Sequence, residues 1–217
     1  MEKKSKKMLF LGLGFLLAFI IWTVLVRLID VKTIGPNNSS VGFSTLNKSF
    51  LNLFGVSMPL YVITDWLGLV PLFIVLGFAI LGVVQWIKRR NLLSVDKSIL
   101  ALGVYYIVVI GIYILFEIVI INYRPILING YLEPSYPSST TMLVACVMPT
   151  AMMQFKARIK NKLIKRFVIF NCGAFVAFMI IARLLSGVHW FTDIIGGILF
   201  SIGIVLVYYF YINIVEK

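Results

Sequence analysis

His189, the sole histidine of the chain, is followed four residues later by Asp193. Residues at that spacing share one face of a helix, so the carboxylate is expected to accept the N–H of one imidazole nitrogen. The other nitrogen is then free to act as a nucleophile or base. Upstream, Arg183 offers a planar fork matched to phosphate oxygens, and Gly187 permits a tight approach at the turn between them. A His–Asp pair alone is as readily structural as functional. An arginine within a membrane segment, where unpaired charge is costly, tips the reading toward function.

Two further groups of residues suit the same chemistry. In Glu133-Pro134-Ser135-Tyr136-Pro137-Ser138-Ser139-Thr140-Thr141, proline followed by Ser and Thr marks a helix start. The free N–H groups of such a first turn make a phosphate cradle, with Ser138, Ser139 and Thr140 as candidate ligands; the plain alternative is an N-cap. Tyr123-Arg124-Pro125 supplies a second guanidinium, although an interfacial Tyr-Arg pair is also an ordinary membrane anchor.

The elements that must hold these residues follow from composition. With 61% hydrophobic and 13% charged residues in 217, the chain is too apolar for a soluble domain and reads as one membrane-embedded unit over 1–217. Apolar runs long enough to span a bilayer fall at about 8–28, 60–87, 98–122, 138–155, 167–185 and 193–213, the fourth being the weakest. The expected fold class is therefore all-α, a six-helix transmembrane bundle. Leu46, Phe50, Leu53 and Phe54 recur at helical spacing between the first two runs and predict a short amphipathic helix at the interface, either an anchor or the wall of a lipid access path. The first run lacks a cleavage site and reads as a retained helix. Cys146 and Cys172 fall inside spans, where a thiol is a small apolar side chain, and no zinc or disulfide spacing exists.

The net charge of +12 does not imply nucleic acid, because the basic residues cluster beside helix ends. With both termini in the cytoplasm, Lys3, Lys4, Lys6, Lys7, Lys88, Arg89, Arg90, Lys97, the group from Lys156 to Arg166, and Lys217 lie inside, 15 of the 20 basic residues. Only Arg27, Lys32, Lys48, Arg124 and Arg183 lie outside. The positive-inside rule thus turns the reactive cluster outward. A small transporter is the competing class, but Asp65, Glu117 and Arg183 trace no polar path that the sequence reveals.

In order and placement the three groups resemble the type 2 phosphatidic acid phosphatase superfamily of membrane lipid phosphatases. That family's third motif is Ser-Arg, five residues, His, three residues, Asp, and here Ala182-Arg183 through His189 to Asp193 keeps Arg, Gly, His and Asp in register. Pro137-Ser138-Ser139-Thr140 stands at the second motif, Pro-Ser-Gly-His, and Arg124-Pro125 closes the first. The resemblance covers roughly residues 60–210. It implies a metal-free phosphatase without cofactor, bacterial and set in the cytoplasmic membrane, in which His189 attacks phosphorus and forms a phosphohistidine. Asp193 would orient His189, while Arg124, Arg183 and Ser138 would hold the phosphate.

Two departures from the family bear on the chemistry. Thr140 replaces the histidine that protonates the leaving oxygen, and Glu117 replaces a lysine. Threonine is no general acid near neutral pH. The departures admit three readings: a substrate whose leaving group needs little protonation, such as undecaprenyl pyrophosphate; Glu117 as the acid or as a charge partner of Arg124 or Arg183; or a lipid-phosphate binder or phosphotransferase that no longer hydrolyses. Oligomeric state is left open.

Overall fold

A computed structural model describes residues 2–215, with side chains from Ser5 onward, so Lys3, Lys4 and Lys217 of the charge reading lie outside the described side chains. The chain forms α1 (Glu2–Leu28), α2 (Ser44–Phe54), α3 (Met58–Leu67), α4 (Leu69–Arg89), α5 (Lys97–Ile118), α6 (Ser139–Arg158), α7 (Lys162–Leu185) and α8 (Phe191–Val215). Between α5 and α6 the described residues form only isolated antiparallel bridges, Tyr123 with Pro134 and Ile128 with Tyr131. The all-helical membrane architecture expected from the sequence is the one observed.

Among the described residues five segments are long and apolar enough to cross a bilayer: Ser5–Leu28, Met58–Arg89, Lys97–Ile118, Lys162–Leu185 and Phe191–Val215. Met58–Arg89 breaks at Gly68, where α3 hands over to α4. The 20-residue α6 falls outside that set, and its packing explains why. It lies against α4, α5, α7 and α8, so nine of its residues, including Thr141, Thr150 and Gln154, are buried by protein. Lipid-facing surface must be apolar; a helix enclosed by other helices can carry polar groups provided they are paired. Tyr105 donates to the Cys146 carbonyl at 3.2 Å, Tyr106 shares a hydrogen bond with Thr150, and Gln154 bonds Tyr208, whose hydroxyl reaches the Ser98 carbonyl at 3.1 Å. Arg158 closes the row on Asp96 at 3.2 Å. The result is a polar seam along α6 inside an apolar shell. Cys146 joins it by donating to Ser201, and both cysteines are free and buried.

α1 and α8 run antiparallel in the most extensive helix pairing of the bundle. Small residues let their backbones meet: a Cβ on Gly12 would stand 2.9 Å from the Gly203 carbonyl oxygen. The expected amphipathic helix is α2. Its Asn47 is buried and bonds both the side chain and the N–H of Thr192, while Phe50 stacks on Phe191 with ring centroids 4.1 Å apart. Leu53 stays 73% exposed, leaving an apolar flank for the lipid interface. α2 is therefore strapped across the start of α8, beside the candidate site residues.

Candidate active site

The end of α5, the start of α6, the end of α7 and the start of α8 converge at one end of the bundle, and α3 closes it from the side. The α7–α8 connection, Ser186–Trp190, is held from both directions. Ser57 N–H bonds the Ser186 carbonyl at 2.9 Å, and the Trp190 indole N–H bonds the Tyr123 carbonyl at 2.7 Å. Gly187 has a φ of +66°, and a Cβ there would sit 2.1 Å from the Gly55 carbonyl oxygen, so only glycine fits the turn.

His189 stands in this connection, one residue short of α8, and is buried. Its Nδ1 is 3.0 Å from the Ser135 carbonyl oxygen and 3.7 Å from Oδ2 of Asp193. The contact with Asp193 expected from helical spacing is thus too long for a hydrogen bond, because the pair straddles the helix start instead of sharing a turn. Asp193 accepts the Trp190 N–H at 2.9 Å and an Asn122 amide N–H at 3.4 Å. A carbonyl can only accept, so Ser135 obliges Nδ1 to carry the imidazole proton. The lone pair is left on Nε2, which is buried and has no hydrogen-bond partner.

Both arginines reach this neighbourhood. Arg183 is 1% exposed and donates from Nη1 to the Thr64 hydroxyl at 3.1 Å, with Asp65 at 4.0 Å. Arg124 is 8% exposed, and its Nε lies 3.1 Å from a Glu133 carboxylate oxygen, off the N–H direction, so the contact is an ion pair and not a hydrogen bond. The Tyr61 ring lies under both, 5.0 Å from the Arg183 guanidinium carbon and 6.0 Å from that of Arg124. Glu117 pairs with neither arginine; the charge partnership weighed for it from sequence belongs to Glu133 and Asp65. The reason is local. Arg124 N–H bonds the Glu133 carbonyl, so the hairpin sets Glu133 opposite Arg124, whereas Glu117 lies on α5 within reach of Tyr113.

What remains unpaired is informative. Arg124 Nε and Nη1, Arg183 Nε, the hydroxyls of Ser135, Ser138 and Thr141, and His189 Nε2 are all buried without a hydrogen-bond partner among the described residues. A buried donor left without a hydrogen bond costs about 1–3 kcal/mol, so the unbonded N–H and O–H groups gathered at this end of the bundle mark the candidate site. Ser138 occupies the N-cap position of α6 without making a capping bond, which sets aside the plain N-cap reading for its hydroxyl. Its N–H is taken by the Asp193 carbonyl at 3.1 Å, so the cradle expected from the first turn begins at Ser139. Thr140 turns toward the α3–α4 break, its methyl 3.5 Å from where a Gly68 Cβ would be.

Burial, together with the nearby Arg124 and Arg183 charges, holds His189 well below the usual imidazole range. The ring is consequently neutral at pH 7, with its lone pair on Nε2. Protonation would remove the Nε2 lone pair, and with a lowered pKa that loss begins only on the acid side of 6.5. We expect kcat/KM for phosphate release to show no titration between pH 7 and 6; a half-loss centred near 6.5 would contradict this electrostatic reading.

A multi-pass helical bundle with a buried histidine, two buried guanidinium groups and several unbonded hydroxyls defines a membrane protein whose candidate site suits the chemistry of a phosphate group. The PAP2 superfamily model matches residues 99–216, more than half of the chain, and the protein belongs to that superfamily. Among solved structures it is similar to one described as the first transmembrane PAP2 type phosphatidylglycerolphosphate phosphatase from Bacillus subtilis. The TM-score is 0.59 at 18% identity, over 92% of this chain and 94% of that one, a likeness of fold. No curated protein matches the sequence significantly. Membership of the superfamily supports phosphatase chemistry, and the solved structure shows a shared fold.

Proposed function

We propose that the protein hydrolyses a lipid phosphate or polyprenyl pyrophosphate at the outer leaflet through a phosphohistidine on His189. The observation that carries the proposal is the buried, unpartnered Nε2 of His189, its lone pair fixed by the Ser135 carbonyl, beside two buried arginines with unpartnered N–H groups. Nε2 attacks phosphorus and the bond to the leaving oxygen breaks. Arg124, Arg183, Ser138 and the first-turn N–H groups of Ser139 and Thr140 hold the phosphoryl oxygens as charge develops. Asp193 fixes the α8 start that carries His189, and Gly187 sets the turn.

The Thr140 position supplies no proton for the leaving group. A phosphate leaving from a lipid pyrophosphate is far less basic than an alkoxide leaving from a monophosphate, so the site favours pyrophosphates such as undecaprenyl pyrophosphate. The outward orientation rests on the placement of the basic residues. The test is phosphate release by the purified protein from a panel of lipid monophosphates and pyrophosphates. Faster turnover of the pyrophosphates is expected; equal or reversed rates would remove the substrate assignment, and release from none would favour a lipid-phosphate binder.

A further inference from the structure

The covalent intermediate of the proposed reaction must be hydrolysed, and that step needs a group to take a proton from water. The family position for acid–base work, Thr140, faces the α3–α4 break and cannot serve. Four carboxylates surround the site. Asp193 is committed to the Trp190 N–H and Asn122, Glu133 to Arg124, and Asp65 to Arg183. Of these four, Glu117 is the one that neither an arginine nor an amide N–H holds among the described residues. It lines a narrow cleft together with His189, Ser135 and Ser139. It is exposed there, and Tyr113, one turn earlier on α5, hydrogen-bonds to its carboxylate.

We infer that Glu117 is the general base for the second half of the reaction, an inference that rests on the phosphohistidine reading above. Water in the cleft attacks phosphorus as Glu117 takes its proton. The P–N bond breaks and its electron pair returns to Nε2, while Nδ1 keeps its proton on the Ser135 carbonyl throughout. Inorganic phosphate leaves, and Glu117 gives the proton to bulk water through the open mouth. A carboxylate also keeps a second anion close to the phosphoryl group only when water stands between them, which is the arrangement a general base requires. The charge reversal at position 117 is thereby explained. A lysine there would help to bind phosphate; a glutamate is worth its repulsion only if it does chemistry on water.

The experiment uses the full-length protein in detergent and a short-chain polyprenyl pyrophosphate labelled on its terminal phosphate. In Glu117→Gln, release of polyprenyl monophosphate should show a burst of one equivalent per protein, followed by a steady state slower by roughly 10²-fold. Acid-labile label should accumulate on His189, and the pH dependence of the dephosphorylation step should flatten. Glu117→Asp should recover part of the rate. Turnover of Glu117→Gln near the wild-type rate, or a slowed burst without accumulated label, would overturn the role of Glu117 alone. Wild-type protein that turns over without ever carrying label would overturn the phosphohistidine reading and this inference together.

Discussion

His189→Ala is expected to lower kcat for phosphate release by on the order of 10⁴-fold or more and to abolish covalent labelling, while the protein stays folded. Loss of a covalent nucleophile removes a whole pathway and not one interaction, so its effect exceeds that of any binding residue. Stability should hold because His189 makes one side-chain hydrogen bond, to the Ser135 carbonyl, and stands in a connection that Ser57, Trp190 and Gly187 hold independently of it. Rate and labelling should therefore fall while the elution profile and thermal midpoint in detergent change little. Retention of more than a tenth of wild-type turnover would mean that phosphorus is attacked by something else.

The second large effect is expected of Arg183→Lys. An ammonium on a flexible stem keeps the charge but loses the planar fork, the bond to Thr64 and the stacking over Tyr61. The phosphoryl group would lose an oriented donor in the transition state, and kcat/KM should fall by roughly 10²–10³-fold. The drop should appear in kcat as well as KM, since a preorganised donor acts on developing charge. Wild-type kinetics in Arg183→Lys would show that only the net positive charge matters. Arg183→Ala adds an internal check. It removes one of the two cations that hold His189 below its ordinary range, so the acid limb of its residual activity should move to higher pH.

The grouping of the candidate residues was legible in the sequence because its members follow one another at helical or near-helical intervals. His189, Asp193, Arg183 and Gly187 sit within eleven residues, and the Pro-Ser-Ser-Thr run reads as a helix start without any tertiary knowledge. What it concealed came from elsewhere in the chain or from the backbone. Tyr61 and Thr64 meet Arg183 across about 120 positions, and nothing in the periodicity of α3 marks them. Asn47 reaches Thr192 over a comparable distance. The group that sets the imidazole tautomer is a main-chain carbonyl, which no reading of side-chain types can find. The Asp193 contact was misjudged for a subtler reason: four-residue spacing implies a shared face only when both residues are inside the helix, and α8 begins at Phe191. Helix α6 shows the same limit in reverse, since its weak hydropathy reflects polar residues that face other helices and not water.

That seam bears on how the protein is made. A segment too polar to partition into lipid by itself has to be received by helices already waiting for it, and the order of synthesis supplies only some of them. α5 precedes α6 and brings Tyr105, Tyr106 and the Ser98 carbonyl, but Ser201 and Tyr208 arrive last, on α8. The nascent α6 therefore waits half-satisfied beside α5 until the C-terminal helix is translated, and truncation before Tyr208 should leave a chain that quality-control proteases recognise, even though every group proposed for catalysis has by then been synthesised.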